Sequence, residues 1–175
     1  YLNYYENTFY NTILSSQNPE SGMTTYFQPM ATGYFKVYTT ATGSFWCCTG
    51  SGMENFTKLG NAIYYSNEDG IVISQYLSSV LTDEVKNLKL TMNADIPASD
   101  KVIVTVETLD GSGTVNDSIF FRLPDWLAGE ATATVISDDA LPTAATEQNG
   151  SYLKVSGLKD GDTITITLPM NITVH

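Results

Sequence analysis

Short runs rich in valine, isoleucine, threonine and tyrosine occupy the later part of the chain, at 71–81, 85–92, 101–108, 118–123, 132–136, 152–155 and 163–168. Apolar and polar positions alternate most strictly in Lys101-Val102-Ile103-Val104-Thr105-Val106-Glu107 and Thr163-Ile164-Thr165-Ile166-Thr167-Leu168. That period of two marks strands with one wet face. Seven such runs, parted by Gly, Asp, Asn and Pro clusters, predict a jelly-roll-like β-sandwich over residues 66–175. Lys159-Asp160-Gly161-Asp162 supplies a turn in which glycine takes positive φ, and Pro124 closes a strand by removing a backbone donor.

The front of the chain reads differently. Leu2, Tyr5, Phe9 and Ile13 recur at helical spacing, which predicts an amphipathic helix from residue 2 to about 16, ended by Gln17-Asn18-Pro19. Glu6 and Tyr10 share one face at i, i+4. Ser51-Gly52-Met53-Glu54 has the form of a capping box, with Gly60 suited to the far end, so a short helix is expected over 51–59. Between the two, residues 25–30 and 33–38 read as a hairpin of extended pieces.

Composition sharpens this division. Of 20 aromatic residues 15 lie in 1–65, whereas only five of the 27 charged residues do. Two basic and three acidic residues stand in front, six and sixteen behind, for a net charge of −11. A stretch so aromatic and so uncharged is expected to be the buried end of a larger domain, because small domains bury only about 60% of their surface; an aromatic layer packed on the second half is the alternative. The acidic balance excludes nucleic acid as a partner by repulsion of its phosphates. No run reaches the roughly 18 apolar residues needed to span a bilayer, so no membrane association is expected. The chain opens on Tyr1 rather than methionine, and further sequence is expected upstream.

Candidate chemistry is sparse. The two cysteines are adjacent, in Phe45-Trp46-Cys47-Cys48-Thr49-Gly50-Ser51-Gly52, where a disulfide would need a strained ring. Placed just before a helix N-terminus, they should gain thiolate character from its dipole and free amides. A thiolate is both nucleophile and soft-metal ligand; two buried small hydrophobes remain the structural alternative. Glu6 lies among Tyr4, Tyr5, Phe9 and Tyr10. Desolvation there would disfavour its charged form and suit it to general-acid work, unless it is an ordinary solvated helix residue. Trp46 could stack on a sugar, while Trp126 reads as core filling. The single histidine, His175, is the last residue, which argues against a Ser-His-Asp or Cys-His apparatus within the chain.

Four strings together resemble a known family: Tyr5-Glu6-Asn7-Thr8-Phe9-Tyr10-Asn11, Gly22-Met23-Thr24-Thr25-Tyr26-Phe27-Gln28-Pro29-Met30, Gly33-Tyr34-Phe35-Lys36-Val37-Tyr38 and Ser44-Phe45-Trp46-Cys47-Cys48-Thr49-Gly50-Ser51-Gly52-Met53-Glu54-Asn55. They are similar to the β-L-arabinofuranosidase glycoside hydrolases of families 127 and 146, once known only as a domain of unknown function (DUF1680). The later Phe121-Arg122-Leu123-Pro124-Asp125-Trp126 resembles the sandwich that follows their catalytic barrel. The resemblance implies that residues 1–65 are the last part of an (α/α)6 barrel and 66–175 the β-sandwich. It implies Cys47 as nucleophile and Glu6 as acid/base of a retaining hydrolase, Trp46, Tyr10 and Tyr26 as substrate-binding residues, and an arabinose-containing plant glycan as substrate. The rest of the barrel would be needed in cis.

Family members hold zinc through both cysteines, a Glu and a further Cys, which implies Cys47, Cys48 and Glu20 as ligands. No third cysteine stands between Glu6 and Cys47, and Glu20 is the one other carboxylate there, so the set is incomplete. Either a different metal arrangement is used, or the helix terminus alone activates Cys47; the second is preferred. The alternative to a hydrolase is a non-catalytic accessory or carbohydrate-binding sandwich, inactive in isolation. Against a binding module, residues 66–175 offer only five aromatics, Tyr76, Phe120, Phe121, Trp126 and Tyr152.

Overall fold

The computed structural model describes residues 1–44, 46–137 and 144–172; Phe45 and His175, which figure in the readings above, lie outside them. The chain separates into two units, Tyr1–Ala62 and Ile63–His175. Tyr64 and Tyr65 therefore open the second unit instead of closing the first.

In the first unit, helix α1 (Leu2–Thr8) continues as a π turn over Phe9–Ile13 and a 3₁₀ turn over Leu14–Ser16. The spiral loosens where polar side chains bond back to its carbonyls: Asn11 Nδ2 donates to Asn7 O at 3.1 Å and Ser15 Oγ to Asn11 O at 2.8 Å. Extended backbone at Gln17 ends it, and Lys36 Nζ donates to the Ser15 carbonyl near that end. The expected hairpin is not a ladder. Isolated bridges Gln17↔Thr24 and Thr25↔Tyr38 close two loops instead, because Pro29 has no amide to donate and Gly33 turns the backbone at φ 89°.

Helix α2 (Cys47–Thr57) starts one turn earlier than the capping box suggested, with Trp46 as its N-cap. Ser51 lies inside the helix, its hydroxyl donating to Cys47 O at 3.3 Å, and Glu54 pairs along the surface with Lys58 at 3.7 Å. Gly60 does not cap the helix: Lys58 does, and Gly60 falls in a 3₁₀ turn over Leu59–Ala62. Gly52 has a packing role, since a Cβ there would stand 3.3 Å from Thr24 Cγ2.

The second unit is a sandwich of two five-stranded sheets. Its strands are β1 (Tyr64–Asn67), β2 (Gly70–Ile73), β3 (Ser79–Asp83), β4 (Leu88–Ala94), β5 (Lys101–Thr108), β6 (Ser118–Arg122), β7 (Thr132–Ile136), β8 (Ala145–Asn149), β9 (Tyr152–Ser156) and β10 (Thr163–Thr167). One sheet runs β1-β2-β6-β9-β8 and the other β3-β4-β5-β10-β7. Pairing is antiparallel except between β2 and β6. The alternation read from sequence is the inward face: Val102, Val104, Val106, Ile164 and Ile166 have no exposure and meet Ile73, Ile119, Phe121 and Val155 of the other sheet.

The run at 71–81 is two strands. It breaks where the chain crosses between sheets, and Tyr76 Oη, donating to Arg122 O, with Arg122 Nε, donating to Ser74 O at 2.6 Å, pins the crossing. Strand β4 begins at Leu88 because Asn87 turns the chain at φ 54°. Gly161 takes φ 84° in the expected turn, and Trp126 packs at the edge of the core.

Candidate active site

The first turn of α2 carries both cysteines, and their position follows from the extended backbone of Trp46, at φ −103° and ψ 169°. Both thiols are exposed, with sulfurs 3.8 Å apart. They are not buried hydrophobes. The pair is asymmetric. Cys47 is held below the ordinary thiol value, first by a hydrogen bond from Cys48, then by Tyr26, with the amides of residues 48 and 47 adding to the effect. Cys48 is raised, chiefly by Cys47. Of the two thiols Cys47 is the one that favours the thiolate, beside the free amides of the helix N-terminus.

Tyr26 stands over this pair. Its phenol is raised, foremost by a hydrogen bond to Cys47 and by that sulfur's charge. Its ring meets Trp46 edge-on at 5.5 Å and Phe27 at 4.5 Å. Trp46 is 54% exposed. Cys47, Cys48, Trp46 and Tyr26 are thus brought together.

Glu6 and Glu20 do not figure among the groups that shift the thiols. Glu6 is buried on α1 rather than solvated, and its charge, after burial, raises the neighbouring Tyr10 phenol. Glu20 is exposed in the turn after Asn18, its amide donating to Asn18 Oδ1 at 2.8 Å. Among the described residues no three His, Cys, Asp or Glu side chains gather to hold a metal ion. Two cysteines fall short of the three or four protein donors that zinc takes, so the described residues do not by themselves fit zinc.

Behind α2 lies a feature the sequence did not announce. Thr24, Thr39 and Thr49 are buried, and their hydroxyls have no hydrogen-bond partner. Thr49 and Gly52 fall on one helix face, against which Thr24 packs.

The family model for the β-L-arabinofuranosidase GH127 catalytic domain matches residues 1–61, and that for the GH127 middle domain matches residues 70–170. The chain belongs to the GH127 β-L-arabinofuranosidase family. Solved structures agree in fold. A glycoside hydrolase is similar at TM-score 0.72 and 23% identity, over 99% of this chain and 30% of its own. A GH127 β-arabinofuranosidase is similar at 0.72 and 17%, over 97% and 28%. A GH127 β-L-arabinofuranosidase from Geobacillus stearothermophilus T6 is similar at 0.57 and 20%, over 74% and 20%. The chain thus spans 20% to 30% of the length of these three structures. No curated protein matches it.

Proposed function

We propose that the GH127 protein to which these residues belong is a retaining glycoside hydrolase acting on β-L-arabinofuranosides of plant glycans, with Cys47 as nucleophile. The observation that carries this reading is the exposed, anion-favouring sulfur of Cys47 at the N-terminus of α2, with Cys48 and Tyr26 beside it. Attack by the thiolate on the anomeric carbon gives a glycosyl thioether, which water then hydrolyses. Glu6 is the acid/base proposed within this chain, on the family resemblance and its burial; it would protonate the leaving oxygen and later deprotonate the water, from about 5–5.5 Å away in a retaining pair. Tyr10, beside Glu6, and Tyr26 would line the sugar site.

The first unit, Tyr1–Ala62, is proposed as the last part of an (α/α)6 barrel, with the sandwich in the second. The exposed Phe27, Met30, Tyr34 and Phe35 are the surface that the remaining barrel would cover. A carbohydrate-binding sandwich is disfavoured, because Tyr76, Phe120 and Phe121 are buried.

The test is turnover of an aryl β-L-arabinofuranoside. Residues 1–175 alone should give none, whereas the same residues joined to the preceding barrel segment of a solved GH127 member should be active. Cys47→Ala should abolish that activity and Glu6→Gln should reduce it at least a hundredfold. Activity that survives Cys47→Ala would overturn the assignment.

A further inference from the structure

We infer that Asn149 is a site of self-modification: in the folded chain its side chain cyclises onto the Gly150 amide nitrogen and opens to isoaspartate, which releases the edge strand β8. This chemistry is independent of the cysteine pair and of the hydrolase reading. Four Asx-Gly pairs occur in the chain, Asp69-Gly70, Asp110-Gly111, Asn149-Gly150 and Asp160-Gly161. Three of the glycine amides are engaged. Gly70 N donates to Asn67 Oδ1 at 2.9 Å, Gly111 N to Thr108 O at 3.4 Å and Gly161 N to Val106 O at 2.8 Å. The Gly150 amide makes no hydrogen bond among the described residues.

The surroundings of the pair favour attack. Asn149 ends β8, whose five residues are all exposed and which pairs on one side only, with β9. Gly150 turns the hairpin at φ 60°, and nothing stands within 4 Å of the place a Cβ would take. The far half of the turn is held, since Leu123 N donates to Ser151 O at 2.7 Å, so the hairpin opens on its Asn149 side. A bond then forms from Gly150 N to Asn149 Cγ. The amide proton passes through water to the side-chain nitrogen, which leaves as ammonia. Water adding to the succinimide at Cγ restores the ordinary backbone as aspartate; water adding at the main-chain carbonyl leaves the chain running through Cβ and Cγ as isoaspartate. The added methylene breaks the Asn149↔Tyr152 pair at the end of the β8–β9 ladder. Strand β9, with the buried Leu153 and Val155, then becomes the edge of its sheet.

Incubating the 175-residue chain, folded and urea-unfolded, at mildly alkaline pH tests this. Isoaspartate at each pair is read by peptide mass spectrometry and by methyl transfer with an isoaspartyl methyltransferase. The ratio of folded to unfolded rate at each pair removes the intrinsic difference between asparagine and aspartate. It should fall to about a tenth or less at Asp69 and Asp160, whose glycine amides must first be released, and stay near one at Asn149. A ratio at Asn149 as low as at those two would overturn the inference. In the isoaspartate fraction the amides of β8 and β9 should exchange hydrogen faster than in freshly prepared Asn149→Asp, which has the charge without the methylene. Equal exchange would overturn the release of β8.

Discussion

The two units solve the problem of burial in opposite ways. In the sandwich, Ile73, Leu90, Val104, Phe121, Val155 and Ile166 are wholly enclosed and touch one another across two sheets. In the first unit, Phe9 and Ala62 are the apolar residues buried among those described, while Glu6 and four threonines occupy the interior. Several of its large apolar residues lie outside instead, with Phe27, Met30, Tyr34 and Phe35 each at least 75% exposed. The sandwich carries its stability in a closed apolar core. The first unit carries an exposed sulfur pair and an exposed apolar surface.

Substitutions can break or sharpen that contrast. Phe121→Ala should cost the sandwich about 3–5 kcal/mol, read as a lower midpoint in denaturant unfolding, because it removes a wholly buried ring; a loss under 1 kcal/mol would deny the closed core. Gly70→Ala should cost about 3 kcal/mol. The added Cβ would stand 1.9 Å from the Ser118 carbonyl oxygen at a backbone φ of 153°, forcing β2 from β6. In the first unit the sign reverses. Thr49→Val should stabilise by about 1 kcal/mol, since it deletes a buried hydroxyl with no partner; destabilisation would mean that something satisfies that oxygen. Phe35→Ser should change stability by no more than about 0.5 kcal/mol while reducing the binding of a hydrophobic dye.

A pH series of iodoacetamide labelling sharpens the chemical side. Cys47 is lowered and Cys48 raised from the ordinary thiol value. The labelling of Cys47 should therefore rise at lower pH than that of Cys48, since the thiolate is the reacting form. Equal profiles, resolved by peptide mass spectrometry, would remove the asymmetry.

The sandwich was legible wherever one face of a strand is buried. Lys101–Thr108 and Thr163–Thr167 alternate because their odd and even positions meet different solvents. Strand β8 escaped notice because every residue in it is exposed, which leaves no alternation to read, and β1 escaped because three of its four residues are. The first unit was harder. Ser51 and Glu54 matched a capping box, yet one turn of helix stands ahead of them, and Gly52 lets α2 approach Thr24 closely, a tertiary contact that no local pattern records. Cys47, Cys48 and Trp46 stood out as words in the sequence. That Tyr26 would come to face the two sulfurs depended on a loop closed by single bridges, which carries no periodic signal.

The order of strands in the sandwich has a consequence for the nascent protein. The chain passes back and forth between the sheets, and β10, the last of the strands described above, inserts between β5 and β7. Strand β7 has no partner in its sheet until residues 163–167 have left the ribosome. The second sheet cannot close until β10 has been synthesised, and in that interval the unpaired edges of β5 and β7 are the places where a chaperone would hold on or a neighbouring copy would intrude.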